Sequence, residues 1–309
     1  MDLSVVIPLY NETHSLQELF QALKSVFNSL GKSYEIIFVD DGSTDDSFSI
    51  LKEIFTLNDH VQVIRLRRNF GKTAAFLAGF TEAQGRIVIT LDADLQDSPT
   101  EIPLLLRKLE EGYDFVSGWK RERKDGWMKR VSSKIFNRVV SYASGIKIHD
   151  FNCGLKVFKR EVIEELELYG EMHRFIPALV GWRGFKIGEV TVKHSPRKYG
   201  KSKFGSDRYL KGLLDFLTVM MLVKYIKRPL HLFGSTGLLI GSIGLIINLY
   251  LTIGWLFKKW IGYRPLLMLG VLLMIIGVQT VFFGLLAEMM NFLSPKGIGP
   301  SVAQILRKK

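Results

Sequence analysis

The sequence contains little cysteine and lacks the common glycine motifs of nucleotide binding. Cys153 is the only cysteine among 309 residues, which excludes an internal disulfide. The six histidines have no paired zinc-ligand spacing, so a zinc site is not expected. No G-x-G-x-x-G follows a predicted strand, and Gly71-Lys72-Thr73 lacks the first P-loop glycine because Leu66 occupies that position. A nucleotide, if bound, must be held in another way.

Charge is absent from two long segments near the C-terminus. Residues 232–257 and 265–287 form uncharged runs of 26 and 23 residues. Each run exceeds the roughly 20 residues that cross a bilayer as a helix. We therefore predict a transmembrane hairpin, with a pair of core helices in a large soluble domain as the alternative.

We expect no signal peptide before the first predicted strand. With two spans, the N-terminal part and both chain ends then lie in the cytoplasm. The predicted organisation is a cytoplasmic domain (1–205), an interfacial amphipathic helix and linker (206–230), two transmembrane helices (231–292) and a basic tail (293–309). The net charge of +12 suggests anionic lipid headgroups or phosphorylated substrates rather than nucleic acid.

The first 120 residues alternate short β-branched runs with longer amphipathic stretches. This alternation predicts an α/β fold whose mostly parallel sheet has helices on both faces. The predicted strands are residues 4–9, 35–39, 61–66, 87–91 and 114–117, and the predicted helices are residues 15–30, 45–56, 72–84 and 99–110.

Polar residues follow three of these strands. Strand one ends in Pro8-Leu9-Tyr10-Asn11-Glu12, strand two in Asp40-Asp41-Gly42-Ser43, and strand four in Asp92-Ala93-Asp94-Leu95-Gln96-Asp97. Taken alone, each is also ordinary turn sequence. Ligands bind at the carboxyl ends of parallel strands, and three carboxylates within six residues repel unless a cation neutralises them. The pattern therefore predicts a cation site.

The ordered motifs resemble those of a known family. The segments VVIPLYNE (5–12), VDDGSTD (39–45), RNFGKTAAFLAGF (68–80) and LDADLQDSP (91–99) resemble the family-2 inverting glycosyltransferases with the GT-A, Rossmann-like fold. With HDFNCGLKVFKREV (149–162), MHRFIPAL (172–179), RKYGKSKF (197–204) and the hairpin, the chain is most similar to polyisoprenyl-phosphate glycosyltransferases. That group includes dolichyl-phosphate mannose synthase and bactoprenol glucosyltransferase, and resemblance to its bacterial branch implies a bacterial plasma membrane.

The resemblance implies a donor site and a metal site. Mg²⁺ or Mn²⁺ would be held by a D-x-D pair with the glutamine that follows it, namely Asp92, Asp94 and Gln96, whose hard oxygens suit these ions. The nucleotide-binding residues implied are Pro8, Tyr10, Glu12, Asp40, Asp41, Asp92, Ala93, Arg197, Ser202 and Lys203. The last three belong to a mobile basic cover, with a solvated charged loop as the alternative.

The resemblance also implies a catalytic carboxylate and an acceptor site. Asp150 matches the base of inverting relatives and, with Asp94, forms the expected catalytic pair. A phosphate monoester is already largely a dianion at neutral pH, so Asp150 would orient it or take up a late proton. The acceptor phosphate is expected near Lys120, Arg130, Ser133 and Lys134, and residues 208–225 are expected to form the interfacial helix.

Together these features predict inverting transfer of a hexose from a nucleoside diphosphate sugar, UDP-glucose by resemblance, to polyprenyl phosphate. The product would be a lipid-linked monosaccharide. The expected partners are the sugar nucleotide, the lipid and the membrane, with a homo-oligomer left open. The alternatives are a family-2 transferase with another membrane acceptor, such as a glycolipid or polysaccharide, and a noncatalytic nucleotide-binding scaffold.

Overall fold

The computed structural model describes residues 1–121, 127–168, 170, 172–196, 198, 229–257, 265–293 and 302–306. The described residues fall into two compact units, within the ranges Met1–Phe216 with Ile298–Lys309, and Leu217–Gly297. The first unit contains the sheet and the second contains the two C-terminal helices. The four domain boundaries given above stay predictions.

An eight-stranded mixed sheet forms the centre of the first unit, in the order β7-β5-β6-β4-β1-β2-β3-β8. Six strands point the same way, while β6 runs antiparallel to β4 and β5, and β8 runs antiparallel to β3. The strands are β1 (Leu3–Leu9), β2 (Tyr34–Asp40), β3 (Val61–Leu66), β4 (Ile87–Thr90), β5 (Phe115–Trp119), β6 (Lys156–Lys159), β7 (Ile187–Thr191) and β8 (Val302–Leu306).

Helices connect most of these strands. The 3-10 turns Pro99–Glu101 and Met172–Phe175 precede α4 and α7. The helices of this unit are α1 (Leu16–Leu30), α2 (Ser47–Leu57), α3 (Lys72–Glu82), α4 (Ile102–Glu110), α5 (Trp127–Ser144), α6 (Arg160–Glu164) and α7 (Ile176–Trp182).

The predicted strands and helices of the first 120 residues are confirmed, with ends within two residues of those observed when the 3-10 turn Pro99–Glu101 is counted with α4. All seven residues of β1 are buried because parallel strands covered by helices have no solvent-facing side. Helix α1 buries Leu16, Leu19 and Leu23, one apolar face at helical spacing. Three strands, β6, β7 and β8, were not predicted, and β8 lies within the segment assigned to the basic tail.

The second unit is a pair of helices, α8 (Pro229–Leu256) and α9 (Pro265–Leu293). Both are long and apolar enough to cross a membrane. Glycines line their contact: a Cβ on Gly277 would lie 2.6 Å from the Gly241 nitrogen and 2.7 Å from the Gly237 oxygen. Such close backbone approach is typical of paired membrane helices. The connection 258–264 and the predicted interfacial helix lie outside the described residues.

Candidate active site

The polar strand ends predicted from the sequence meet at one edge of the sheet. Strand β1 lies between β4 and β2, and all three are parallel. Leu9 pairs with Asp40, and Val6 pairs with Thr90, so the loops that follow the three strands emerge side by side. The expected convergence is therefore observed.

Side chains join the loops after β1 and β2. The Asn11 backbone N–H donates to Ser43 Oγ at 2.9 Å, and the Thr44 N–H donates to Asn11 Oδ1 at 2.8 Å. The Glu12 N–H donates to Ser47 Oγ at 2.9 Å. These bonds hold Tyr10 and Glu12, both half-buried, on the β1 loop beside the β2 loop. Pro8 lies within β1, two residues before Tyr10.

Asp40, the last residue of β2, and Asp41, which follows it, both accept hydrogen bonds from backbone N–H groups. Asp40 is fully buried and accepts the Ser43 N–H at 2.9 Å. The Asp41 carboxylate accepts the N–H groups of Phe70 at 2.7 Å and Gly71 at 2.9 Å. Burial raises the pKa of Asp41, and the two backbone hydrogen bonds oppose that rise. Contact of either carboxylate with a nucleoside stays a prediction.

The loop held by Asp41 leads directly into α3 and its first residue, Lys72. The Lys72 ammonium lies 2.5 Å from Asp92 Oδ1. Burial opposes ionisation of Asp92, but Lys72, Lys120 and Lys156 outweigh it and hold the pKa of Asp92 at about 2. Asp92 is therefore an anion at neutral pH and is neutralised in part by lysine. Lys72 was not among the predicted site residues, although the motif RNFGKTAAFLAGF contains it.

Gly154 leaves space for the Asp92 carboxylate. A Cβ built on Gly154 would lie 2.5 Å from the Asp92 carboxyl carbon and 2.6 Å from Oδ2. The Gly154 carbonyl accepts a hydrogen bond from Thr90 Oγ1 at 2.9 Å, which fixes the segment against β4. Only glycine fits here without moving the carboxylate. The glycine of the segment HDFNCG thus belongs to the same site as the D-x-D pair.

Asp94 and Gln96 continue the loop after β4 and are both half-buried. The Gln96 backbone N–H donates to Asp94 Oδ1 at 3.2 Å. Two carboxylates and an amide supply the hard oxygen donors that a divalent cation needs, so the donor chemistry fits a metal. Among the described residues, no group of three or more His, Cys, Asp or Glu side chains is arranged around a common metal position. A divalent cation bound here would therefore complete its coordination shell with substrate oxygens or water.

The third aspartate of the cluster has a different partner. Asp97 is buried, and its carboxylate lies 2.7 Å from the Lys120 ammonium, which is itself nine-tenths buried. Burial lowers the pKa of Lys120, but Asp97, Cys153 and Asp92 raise it more, so the lysine remains cationic. Lys120 was expected to bind the acceptor phosphate. In this structure its ammonium is paired inside the protein instead.

Buried basic groups lie beneath the site. Lys156 is buried and donates to the Cys153 carbonyl; burial lowers the pKa of its ammonium. His173 is buried, with Nδ1 at 2.8 Å from Thr73 Oγ1 on α3. Burial, and then the charge of Lys72, lower the pKa of His173 well below its ordinary value. The neutral imidazole therefore ties the 3-10 turn Met172–Phe175 to α3.

Asp150 is buried beside the end of β5. Its backbone N–H donates to Glu189 Oε1 at 2.9 Å, and its Oδ1 accepts the Asn152 N–H at 3.1 Å. The hydroxyl Oγ of Ser117, within β5, donates to the Asp150 carbonyl oxygen at 3.4 Å. The segment preceding β6 thus carries both Asp150 and Gly154, the latter in contact with Asp92. The catalytic role of Asp150 stays a prediction.

The expected acceptor-binding residues are only partly described. Ser133 is half-buried and Lys134 exposed, both on α5. Helix α5 packs through Phe136 against Phe175, with ring centroids 5.5 Å apart. The Arg130 side chain and the predicted cover residues Arg197, Ser202 and Lys203 lie outside the described part of the chain.

Comparison with known proteins identifies the family. Residues 4–167 match Glycosyl transferase family 2. The chain is also 39% identical over 295 residues to the dodecaprenyl-phosphate galacturonate synthase of Rhizobium johnstonii, and the alignment covers 94% of this chain and 87% of that relative. The chain belongs to glycosyl transferase family 2. It is therefore a glycosyltransferase, as the sequence motifs predicted.

Solved structures agree on the fold. The glucosyl-3-phosphoglycerate synthase of Mycobacterium tuberculosis in complex with UDP matches with a TM-score of 0.53, 19% identity, and coverage of 71% of this chain and 79% of that chain. The same enzyme with Mn²⁺ and UDP-glucose matches with a TM-score of 0.55, 19% identity, and coverage of 71% and 78%. At this identity the similarity supports the fold alone, and it confirms the predicted GT-A architecture.

Proposed function

We propose that this protein transfers a sugar from a UDP-sugar to polyprenyl phosphate, with inversion at the anomeric carbon. The observation that carries the proposal is the convergence of the β1, β2 and β4 loops, with Asp92 and Asp94, on one sheet edge of a family-2 glycosyltransferase. In the reaction, an acceptor phosphate oxygen attacks the anomeric carbon as its bond to the diphosphate breaks. The products are a lipid-linked sugar and UDP.

The donor is bound at that edge. Asp92 and Asp94 would hold Mg²⁺ or Mn²⁺ with Gln96, and such a cation offsets the charge on the departing diphosphate. Lys72 supports this assignment because a lysine against Asp92 adds positive charge where the diphosphate would lie. The M. tuberculosis structure with Mn²⁺ and UDP-glucose favours the same donor class on this fold.

The acceptor assignment has two supports. One is the relative from R. johnstonii, whose name specifies dodecaprenyl phosphate as the acceptor of galacturonate. The other is the helical pair α8 and α9, long and apolar enough to anchor the enzyme where a prenyl lipid resides. A phosphate monoester with a second pKa near 6 is a nucleophile at neutral pH without a strong base. Asp150 would therefore orient the acceptor phosphate rather than deprotonate it.

The identity of the transferred sugar is the most specific part of the proposal. The motifs resemble those of glucosyltransferases, which favours glucose, while the R. johnstonii relative is named for galacturonate, a hexuronic acid. We propose a UDP-linked hexose or hexuronic acid as donor. The two differ in charge at C6, so a panel containing both donors separates them.

Product identification tests the proposal. Purified full-length protein in detergent is incubated with undecaprenyl phosphate, Mn²⁺ or Mg²⁺, and labelled UDP-glucose, UDP-galactose, UDP-galacturonate and UDP-N-acetylglucosamine. We expect one donor to give a chloroform-soluble sugar phosphate lipid whose anomeric configuration is opposite to that of the donor. No lipid-linked sugar from any of the donors, or retention of configuration, would contradict the proposal.

A further inference from the structure

Three side chains beside Asp150 form a cluster to which the proposed mechanism assigns no role. We call Trp119, His149 and Glu189 the imidazole cluster. The His149 ring stacks on Trp119, with centroids 4.1 Å apart and planes inclined by 15°. His149 Nδ1 lies 2.7 Å from Glu189 Oε2. The imidazole is therefore fixed both on one face and at one nitrogen.

Glu189 binds more than the imidazole. Its Oε1 accepts the backbone N–H groups of His149 and Asp150, each at 2.9 Å. Its side chain is only 12% exposed. Because an ionised carboxylate only accepts hydrogen bonds, the proton between Glu189 and His149 belongs to Nδ1. The opposite nitrogen, Nε2, is then the group that His149 offers to a ligand.

The free edge of the imidazole is accessible. The His149 side chain is 64% exposed, although its ring is stacked and its Nδ1 is bonded. Ordering an exposed side chain costs conformational entropy, and here the ring stack and the hydrogen bond to Glu189 offset that cost. The order in this cluster is what a binding group requires.

The cluster lies at the functional edge of the sheet. Trp119 ends β5 and directly precedes Lys120, the partner of Asp97 in the loop after β4. His149 directly precedes Asp150. Among the described residues, Glu189 on β7 contacts the His149 ring, and the guanidinium carbon of Arg121 lies 5.9 Å from the Trp119 ring centroid. A second anion at Nε2 would stabilise the imidazolium together with Glu189.

We propose that His149 binds a substrate phosphate oxygen through Nε2–H, with Glu189 and Trp119 as the residues that position the ring. This inference rests on the proposed function, because both substrates of that reaction carry phosphate. The phosphate is either the acceptor monoester or the donor diphosphate. The chemistry is the same in both cases, a charge-assisted N–H···O⁻ bond.

Equilibrium binding tests the inference without requiring turnover. UDP with Mn²⁺, and separately undecaprenyl phosphate in detergent, are titrated into full-length wild type and three variants. His149→Phe keeps the ring stack and removes both nitrogens. His149→Gln keeps an amide N–H close to the Nε2 position. Lys147→Gln is the matched control, because it removes an exposed positive charge two residues away.

We expect His149→Phe to weaken one phosphate ligand roughly tenfold, in line with the loss of a hydrogen bond to a charged group. His149→Gln should recover part of that loss, and Lys147→Gln should bind as wild type does. His149→Phe and His149→Gln both lose the Nδ1 hydrogen bond to Glu189, so their thermal unfolding temperatures should fall by similar amounts, whereas Lys147→Gln should unfold as wild type does. A merely structural histidine would weaken both ligands alike, and His149→Gln would recover neither.

The ligand that is weakened identifies the source of the phosphate: undecaprenyl phosphate indicates the acceptor head, and UDP indicates the donor. Unchanged binding of both ligands by His149→Phe overturns the inference. Failure of the proposed function would look different, since wild type would then form no lipid-linked sugar with any donor while its phosphate binding was still measurable.

Discussion

The sheet unit and the helical pair bury opposite kinds of residue. In the sheet unit, Val5, Val6 and Ile7 are fully buried and the polar side chains gather at one edge. In the helical pair, Leu245 and Phe282 are exposed while glycines fill the contact between the helices. Water drives apolar groups inward in the first unit. In the helical pair, close packing of the two backbones holds the helices together. This is typical of helices in a lipid bilayer, where exposed apolar side chains carry no free-energy penalty.

The polar interiors differ as well. At the sheet edge, charges are matched in pairs, such as the buried pair Lys120 and Asp97 and the half-buried pair Lys72 and Asp92. Between α8 and α9, Asn248 provides a polar contact, its amide lying 3.3 Å from the Met274 sulfur. The sheet unit therefore concentrates charge where chemistry is proposed. The helical pair is built for packing, which fits an anchor.

The largest expected effect is a loss of turnover on replacing Asp94, at the charged edge of the sheet unit. Asp94→Ala removes a proposed metal ligand, so turnover should fall roughly 10²–10³-fold, the range for losing one electrostatic contact to a transition state. Initial rates with saturating lipid and donor measure the loss. Glu110→Ala, an exposed carboxylate on α4, is the control and should keep wild-type rates. Retained turnover in Asp94→Ala, at any metal concentration, would exclude Asp94 from the site.

The next largest effect concerns Gly154. In Gly154→Ala the new Cβ would overlap the Asp92 carboxylate and displace it from Lys72, so turnover should fall roughly 10–100-fold. Asn152→Ala, an exposed neighbour on the same segment, should have little effect. Equal rates for Gly154→Ala and wild type would show that the position of Asp92 is not critical.

The helical pair predicts a smaller effect, on stability. Gly277→Ala would press a methyl group against the backbone of α8, at a cost of about 1–3 kcal/mol by analogy with overpacked cores. Gly254→Ala is the matched control, because a Cβ there has no neighbour within 4 Å. Thermal unfolding in detergent should show a decrease of several degrees for the first variant only. Equal unfolding temperatures would mean that the helices do not pack as described.

The smallest effect concerns His173. Since its folded-state pKa lies well below 6.5, the unfolded chain takes up a proton first as the pH falls, so stability is full above pH 6.5 and declines below it. His173→Gln cannot take up that proton. Between pH 7.5 and 5.5 the unfolding temperature of wild type should therefore fall further than that of the variant. Parallel pH profiles would show that His173 does not titrate on unfolding.

Much of the sheet unit was predictable because its signals are local. Apolar runs identified β1 to β5, and the clusters after β1, β2 and β4 identified the functional edge. Strand β6 was missed because its four residues, Lys156–Lys159, contain only two adjacent apolar residues between two lysines, too few to show a period. Its identity as a strand depends on pairing with β4 and β5, which only the tertiary fold provides.

The side-chain partners in the site could not be predicted for the same reason. Lys72 meets Asp92 across 20 residues, and His149 meets Glu189 across 40. Neither contact follows from spacing within one element; both depend on the strand order. Lys120 is a further case, since the resemblance implied that it binds the acceptor phosphate, and the fold pairs its ammonium with Asp97.

The most direct test of the central claim is an experimental structure of the full-length protein with UDP and Mn²⁺. The account predicts anomalous Mn²⁺ density in contact with the Asp94 carboxylate and next to Asp92, with the diphosphate on the same ion. Nucleotide bound away from the β1, β2 and β4 loops, or Mn²⁺ without contact to either carboxylate, would contradict it.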